Sequence, residues 1–526
     1  MKFIQILEEP IEPGGLVEWM PYVPGGLGNW SHDSRLTSHN HEQHLRSAFE
    51  YRLRTRREGG RESWLGLSIE FDEPLSIPAI RSTLMTWIDR HEVLRSHVVI
   101  KGDGLQRLST DVGTVKLKMG RIGWYTQSGP LVEQIAGAFD RATAPLHWPA
   151  YMFATVGRED SFTLLFAADH SLVDGYSLIM AQQELVTLYR SARDHTEPDL
   201  PAVGSYVDFS AEERRQADQT GADHPAVSTW SSFLRSGRGS LPGFDYRPAG
   251  TDGDPDSATD PTADNPTAED TASAETDDGP GPQNSITGVV LDDDAANRFT
   301  AVCSQAGGTL TAGVLAAFAI VYHERTGDPE FRCVLPRHTR DHTRWLTALG
   351  WFVAVAPFCL DVSDSPTFDQ AVTRATAELK RSRQGASLPF LRVAELIGYE
   401  GEPHFVISFI DTRYAPGAAA ADEGRAKVLR SHSYATDEVF IWINRTPSGM
   451  RVSARFPARA AVTVGPTVDS TTEVNNLTSA GIDDATDLDT PDAVRAYLGR
   501  FTELVQAIGD SSTFGVTNPP GAQPSN

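Results

Sequence analysis

FAADHSLVDGYSL, residues 166–178, sets His170, Asp174 and Gly175 at fixed spacing. Each residue type suits a different task. Imidazole titrates near neutral pH, so His170 could take a proton from a hydroxyl. A carboxylate four residues on can lock the turn by pairing with an arginine elsewhere in the chain. Glycine lets the backbone turn tightly where a side chain would clash. A histidine that ends a strand is more often structural than catalytic. On this stretch alone both readings of His170 stand.

Other nucleophile chemistries leave signatures that are missing here. There is no GxSxG elbow, no GxxxxGK[ST] phosphate loop and no HExxH. Cys303, Cys333 and Cys359 fall in no nucleophile pattern and form no CxxC, so neither a disulfide framework nor a metal site is expected. Any chemistry is then base-assisted direct transfer without a covalent enzyme intermediate.

The motif needs elements that hold it. SFTLLFAAD (161–169) reads as a buried strand, and YSLIMAQQELVTLYRSARD (176–194) as a long amphipathic helix. The order is strand, HSLVDG turn, helix. Upstream, WLGLSIEFD (64–72) is strand-like. IPAIRSTLMTWIDRHEVLRSHVVI (77–100) is a helix running into a strand. Downstream, ITGVVLD (286–292), FRCVLP (331–336), WFVAVAPFCLDV (351–362), HFVISFIDTR (404–413), VFIWIN (439–444) and MRVSARFP (450–457) read as strands. TLTAGVLAAFAIVYHERTG (309–327), FDQAVTRATAELKRSRQGA (368–386) and DAVRAYLGRFTELVQAIG (492–509) read as helices, the first with a Thr cap and a Gly stop.

Composition narrows the partners. The 526 residues carry a formal net charge of −24, which speaks against nucleic acid. No Lys or Arg occurs from Pro248 to Asn297. Residues 251–285 are Asp, Thr, Pro, Ala and Gly with almost nothing apolar. They are expected to form a disordered acidic insertion, because such a segment cannot offset its ordering entropy. The start, MKFIQILEEPIEPGG, turns acidic too early for a signal peptide. The longest apolar helical run, 310–322, is shorter than the ~20 residues a bilayer requires. The expectation is a cytoplasmic protein, with peripheral contact at the inner membrane face left open.

HxxxDG between a strand and a helix resembles the CoA-dependent acyltransferase superfamily. Further stretches are similar to its condensation-domain and Pap (polyketide-associated protein) branch: PGGLVEW (13–19), HEQHLRSAF (41–49), DRHEVLRSHV (89–98), RDHTRWLTALGWFVAVAPF (340–358), VISFIDTRYAPG (406–417) and DEVFIWINRTPSGM (437–450). Pap enzymes that esterify sugar glycolipids such as trehalose resemble the chain most. Two departures point away from amide-forming condensation domains. Asp169 stands where their first histidine would be, and Ala354 replaces the Asn of their GxFxN pattern.

The resemblance implies an α/β fold of two chloramphenicol-acetyltransferase-like lobes in a V-shaped pseudodimer around a channel. It divides the chain into an N-terminal lobe (1–225), a connection with the insertion (226–285), a C-terminal lobe (286–510) and a disordered tail (511–526). It implies His170 as general base. It implies structural roles for Asp174, Gly175 and Arg340, with Arg337 as the second candidate for the arginine facing Asp174. Gly350, Trp351 and Phe352 are expected to line the channel; plain core packing is the other reading of the two aromatics. His91, Arg95, His44 and Arg46 are expected in the scaffold, while Trp442 and Arg445 either pack or touch an acceptor.

The function implied is O-acyl transfer. A fatty or polyketide acyl chain would pass from a thioester, on CoA or a polyketide synthase carrier domain, to a hydroxyl of a sugar, glycolipid or polyketide alcohol. No bound cofactor or metal is implied, and a monomer is expected. The alternatives are a stand-alone condensation domain forming an amide and a non-catalytic module that binds a carrier protein or lipid.

Overall fold

The computed structural model describes residues 2–56, 64–102, 104–244, 281–364, 366–423, 426–434, 438–457 and 490–510. The tail from 511 and residues 251–280 of the acidic segment lie outside the described residues. Residues 281–285 do not. They begin the strand Gly281–Asp292, whose ladder with Gly449–Pro457 runs from Gln283↔Pro457 to Asp292↔Gly449. The expected insertion therefore ends earlier than 285. Backbone ladder bonds hold GPQNS extended, although its side chains carry no strand signal.

Each lobe is a seven-stranded sheet with helices on both faces. In the first, the central strand Phe162–Asp169 is buried throughout. Leu164, Phe166 and Ala168 face the helices Ile77–Arg90 and Gly175–Asp194, while Leu165 and Ala167 face the helix Ser128–Ala142. Two covered faces explain why this run is apolar without alternation. The second sheet repeats the plan. Cys333 and Leu335 pack under the helices Asp293–Gln305, Leu310–Thr326, Phe368–Gly385 and Thr490–Asp510. Val334 points the other way, to Pro225–Ser236 and Phe390–Ile397. A small sheet of Ser31–Asp33, Gly104–Ser109 and Ser96–Lys101 flanks the first lobe.

Local signals set many of these ends. Thr309 caps Leu310–Thr326 by accepting from the Ala312 amide, and Gly327 closes it at φ 73°. That helix is apolar all round because the second core surrounds it. Among the described residues no single helix is long and apolar enough to cross a membrane.

The lobes are not contiguous in sequence. Lys427–Arg430, from the C-terminal half, inserts into the first sheet between Lys2–Gln5 and Trp64–Phe71. Residues between the strands Glu330–His338 and Val353–Asp361 also cross over. Trp345, Ala348, Leu349 and Phe352 join the core of the first lobe. The connection from 226 is likewise no plain linker. Its helix Pro225–Ser236 packs on the second sheet, with the Trp230 indole donating to the Gly385 carbonyl at 3.1 Å. Division at residues 225 and 286 is thus corrected in three places, because long-range pairing rather than chain order assigns these segments.

Buried histidines give the first lobe an acid sensitivity. Burial and then the nearby Arg107 charge pull His41 down to about 3. Burial and then His147 pull His97 down to about 4. An unfolded histidine takes its proton near ~6.5, so below that pH the unfolded chain binds protons that the folded chain refuses. Stability should fall as pH drops from about 6.5 towards 4, followed as thermal melting temperature. His41→Gln should flatten that slope; an unchanged slope would remove His41 from the cause.

Candidate active site

The strand Phe162–Asp169 delivers His170 to the rim of the first sheet, and the helix Gly175–Asp194 starts five residues later. Asp174 caps that helix, its Oδ1 accepting from the Ser177 amide at 2.7 Å. Asp174 is also the meeting point with the crossing segment. Its Oδ2 accepts from the Phe352 amide at 3.0 Å, and Arg340 Nη2 reaches both carboxylate oxygens at 3.1 and 3.2 Å. Both side chains are buried. The other guanidinium corner, Nη1, donates to the carbonyls of Trp345 at 2.7 Å and Ala348 at 2.6 Å. Arg340, not Arg337, is the arginine that reaches Asp174.

Ser177 extends the clamp. Its Oγ accepts from Arg340 at 2.8 Å and donates to the Gly350 carbonyl at 2.9 Å. Gly350 is bare for a reason of space. A Cβ there would lie 2.3 Å from the Tyr206 ring. Phe352 is fully buried against Tyr206 and Phe209, with ring centroids 5.0 and 4.6 Å away. The expectation that Gly350 and Phe352 line the channel is therefore corrected: both are pressed into the first core. Trp351, between them, is partly buried at the edge of the same core, its ring 4.9 Å from His170 and 6.0 Å from His44.

Gly175 also differs from its expected role. It has no left-handed φ, and the turn does not demand glycine. A Cβ would instead contact Phe3 at 3.4 Å and Ile410 at 3.6 Å. Phe3 comes from the first strand and Ile410 from Phe405–Asp411 of the second lobe. Both distances are ordinary van der Waals contact, so neither backbone nor space demands glycine here.

His170 itself is half-buried. Its Nδ1 is buried with no partner among the described residues, so no carboxylate orients the ring. The acid beside it is otherwise engaged. Asp169, buried, accepts from His44 Nε2 at 2.9 Å and from the Ser171 amide at 3.0 Å, and the Ser171 hydroxyl closes on it as well. Burial works against the Asp169 charge, but the His44 charge and these hydrogen bonds outweigh it and hold its carboxyl below the usual range. His44, expected in the scaffold, thus tethers the residue before His170. Nothing local in the sequence links residues 125 positions apart.

The remaining candidates are each held by neighbouring groups. His91 and Arg90 hold Glu184 at 2.6 and 2.9 Å, and Arg95 donates to the Thr110 carbonyl at 2.7 Å. Arg46 pairs with Glu42 at 2.7 Å, one helical turn away. Arg445, fully buried, ties the turn at Thr446 and Gly449 to Asp293 and Asn297. Trp442 lies under Arg430, the guanidinium carbon 4.8 Å from its ring.

A condensation-domain family model matches residues 57–410. The chain belongs to that family. It is 25% identical over 390 residues to acyltransferase PapA3 of Mycobacterium tuberculosis, covering 72% of this chain and 76% of that protein. It is 25% identical over 320 residues to trehalose-2-sulfate acyltransferase PapA2 of the same organism, covering 60% and 63%. The solved PapA2 acyl transferase superposes with a TM-score of 0.78 at 19% identity over 97% of this chain and 100% of that one. The fold is that of two chloramphenicol-acetyltransferase-like lobes.

Two substitutions test the joint. Asp174→Ala leaves Arg340 buried and uncompensated, which should cost about 3–5 kcal/mol in urea unfolding. A loss below ~1 kcal/mol, the range of surface pairs, would remove the ion pair from the lobe joint. Gly350→Ala should cost about 1–3 kcal/mol, because the Tyr206 ring must move.

Proposed function

We propose that this protein is an O-acyltransferase with His170 as general base. His170 takes the proton of an acceptor hydroxyl as its oxygen attacks the carbonyl of an acyl thioester. The tetrahedral intermediate then collapses, the C–S bond breaks, and the thiolate leaves with the proton from His170. An ester forms and a free thiol departs, with no bond to the enzyme at any stage.

The observation that carries this reading is the imidazole itself. It is held beside Trp351 at the junction of the lobes, and its buried nitrogen has no partner among the described residues. The family membership and the acyltransferase relatives supply the reaction class. The acceptor we propose is a sugar or glycolipid hydroxyl of the trehalose type, on the strength of the PapA2 name. The donor we propose is acyl-CoA or an acyl carrier domain. A cytoplasmic location is part of the proposal, at the inner membrane face when the acceptor is a glycolipid.

Asp169 argues for ester rather than amide formation. Where the amide-forming relatives of the resemblance carry a second histidine, this chain carries a carboxylate bonded to His44 and Ser171.

The test is product mass spectrometry with purified protein, palmitoyl-CoA and a panel of sugars including trehalose. His170→Ala should lower turnover about 10²–10⁴-fold with melting temperature unchanged. Undiminished turnover in the folded variant would sink the assignment. Preference for an amine over every alcohol would favour amide synthesis, and tight donor binding without any product would favour a binding module.

A further inference from the structure

His170 is the second residue of a tight turn. The Leu172 amide donates to the Asp169 carbonyl at 2.9 Å and closes that turn through the backbone. The Asp169 carboxylate closes it again from the side chain, accepting from the Ser171 amide at 3.0 Å and from the Ser171 hydroxyl. The direction of this carboxylate therefore sets the main chain on both sides of the imidazole. His44 fixes the carboxylate. Its Nε2 lies 3.0 and 2.9 Å from the two oxygens, and both side chains are buried.

The helix that carries His44, His39–Thr55, also grips the segment crossing from the second lobe. Asn40, one turn before His44 on the same helix face, donates from Nδ2 to the Val353 carbonyl at 2.8 Å. Val353 begins the strand Val353–Asp361, two residues after Trp351. The His44 ring meets the Trp351 ring edge-on at 6.0 Å, and Trp351 meets His170 at 4.9 Å. One helix thus touches the motif turn and the crossing segment at once, and Trp351 touches both histidines.

Filling this space does not by itself call for a histidine and an aspartate. Apolar side chains of similar volume would fill it without taking two charged groups out of water. What the pair supplies is direction, because a carboxylate bonded on several sides at once has one orientation. We infer that His44 is a positioning residue for acyl transfer. It orients the turn that carries His170 through Asp169, and the ring beside His170 through Trp351, while Asn40 holds the helix against the crossing segment. The effect on turnover rests on the acyl-transfer reading; the effect on the His170 ring does not.

Steady-state kinetics of the purified full chain, with palmitoyl-CoA and the sugar it accepts, test the effect on turnover. His44→Ala should lower kcat about tenfold or more, with KM for either substrate within about twofold, because the base is misplaced and no contact to substrate is lost. His44→Gln, which keeps an N–H within reach of Asp169, should restore most of that loss. In a His170→Ala background, His44→Ala should leave the residual turnover unchanged. A further fall there, or wild-type kcat in folded His44→Ala, overturns the inference. NMR of the full chain with ¹³C-labelled histidine tests the effect on the ring without substrate. The His170 ring signal, assigned by its absence from His170→Ala, should move in His44→Ala and return towards its wild-type position in His44→Gln. An unmoved signal overturns the inference. Should His44→Ala fail to fold by circular dichroism, His44→Asn, too short to reach Asp169, takes its place in both measurements with the same outcomes. Full turnover in His170→Ala would refute the general base; the ring signal would then still decide whether His44 places His170.

Discussion

The Asp174 carboxylate is the constraint on which the rest of the site depends. It is buried, and it is satisfied from two directions at once. The Ser177 amide belongs to the motif helix; the Phe352 amide and the Arg340 guanidinium belong to the segment crossing from the second lobe. A charge taken out of water in this way is tolerable only when every partner is present. Any separation of the crossing segment from the motif turn therefore exposes or orphans a charge. The two lobes are locked to each other within four residues of the histidine.

That lock divides the labour along a short turn. Asp169 is anchored backwards, to His44 on the helix His39–Thr55. Asp174 is anchored forwards, to Arg340. His170, between the two anchors, is bonded to neither and has the Trp351 ring against it. Rigidity is supplied by the neighbours, and the buried ring nitrogen is left without a partner among the described residues. Gly350 serves the same arrangement: only without a Cβ can the crossing segment press against Tyr206.

Interleaving of the lobes reinforces the joint. Lys427–Arg430 completes the first sheet, and Trp345 to Phe352 completes the first core. Separating the lobes would break a strand ladder and open apolar surface as well as a buried ion pair. The position of His170 relative to the second lobe is accordingly set by several independent interactions.

Much of this was legible in the residues. The strand–turn–helix order around HSLVDG follows from an unbroken apolar run, a polar turn and a helical period, all of which are local. The helices Leu310–Thr326 and Phe368–Gly385 follow from caps and periodicity for the same reason. The resemblance singled out His170, Asp174 and Arg340 as one constellation. What the sequence could not show is anything that depends on which distant segments touch. That Phe352 is core while Trp351 beside it faces the histidine depends on how the crossing segment is rotated. That Gly175 lies beside Phe3 and Ile410 depends on three segments far apart in the chain. The Asp169–His44 tether is of the same kind. Residue type and spacing determined the elements and the candidate chemistry, because backbone preferences are local. Tertiary structure alone decided which side chains are bonded, which are buried and which remain open, because burial and pairing are properties of contacts between segments.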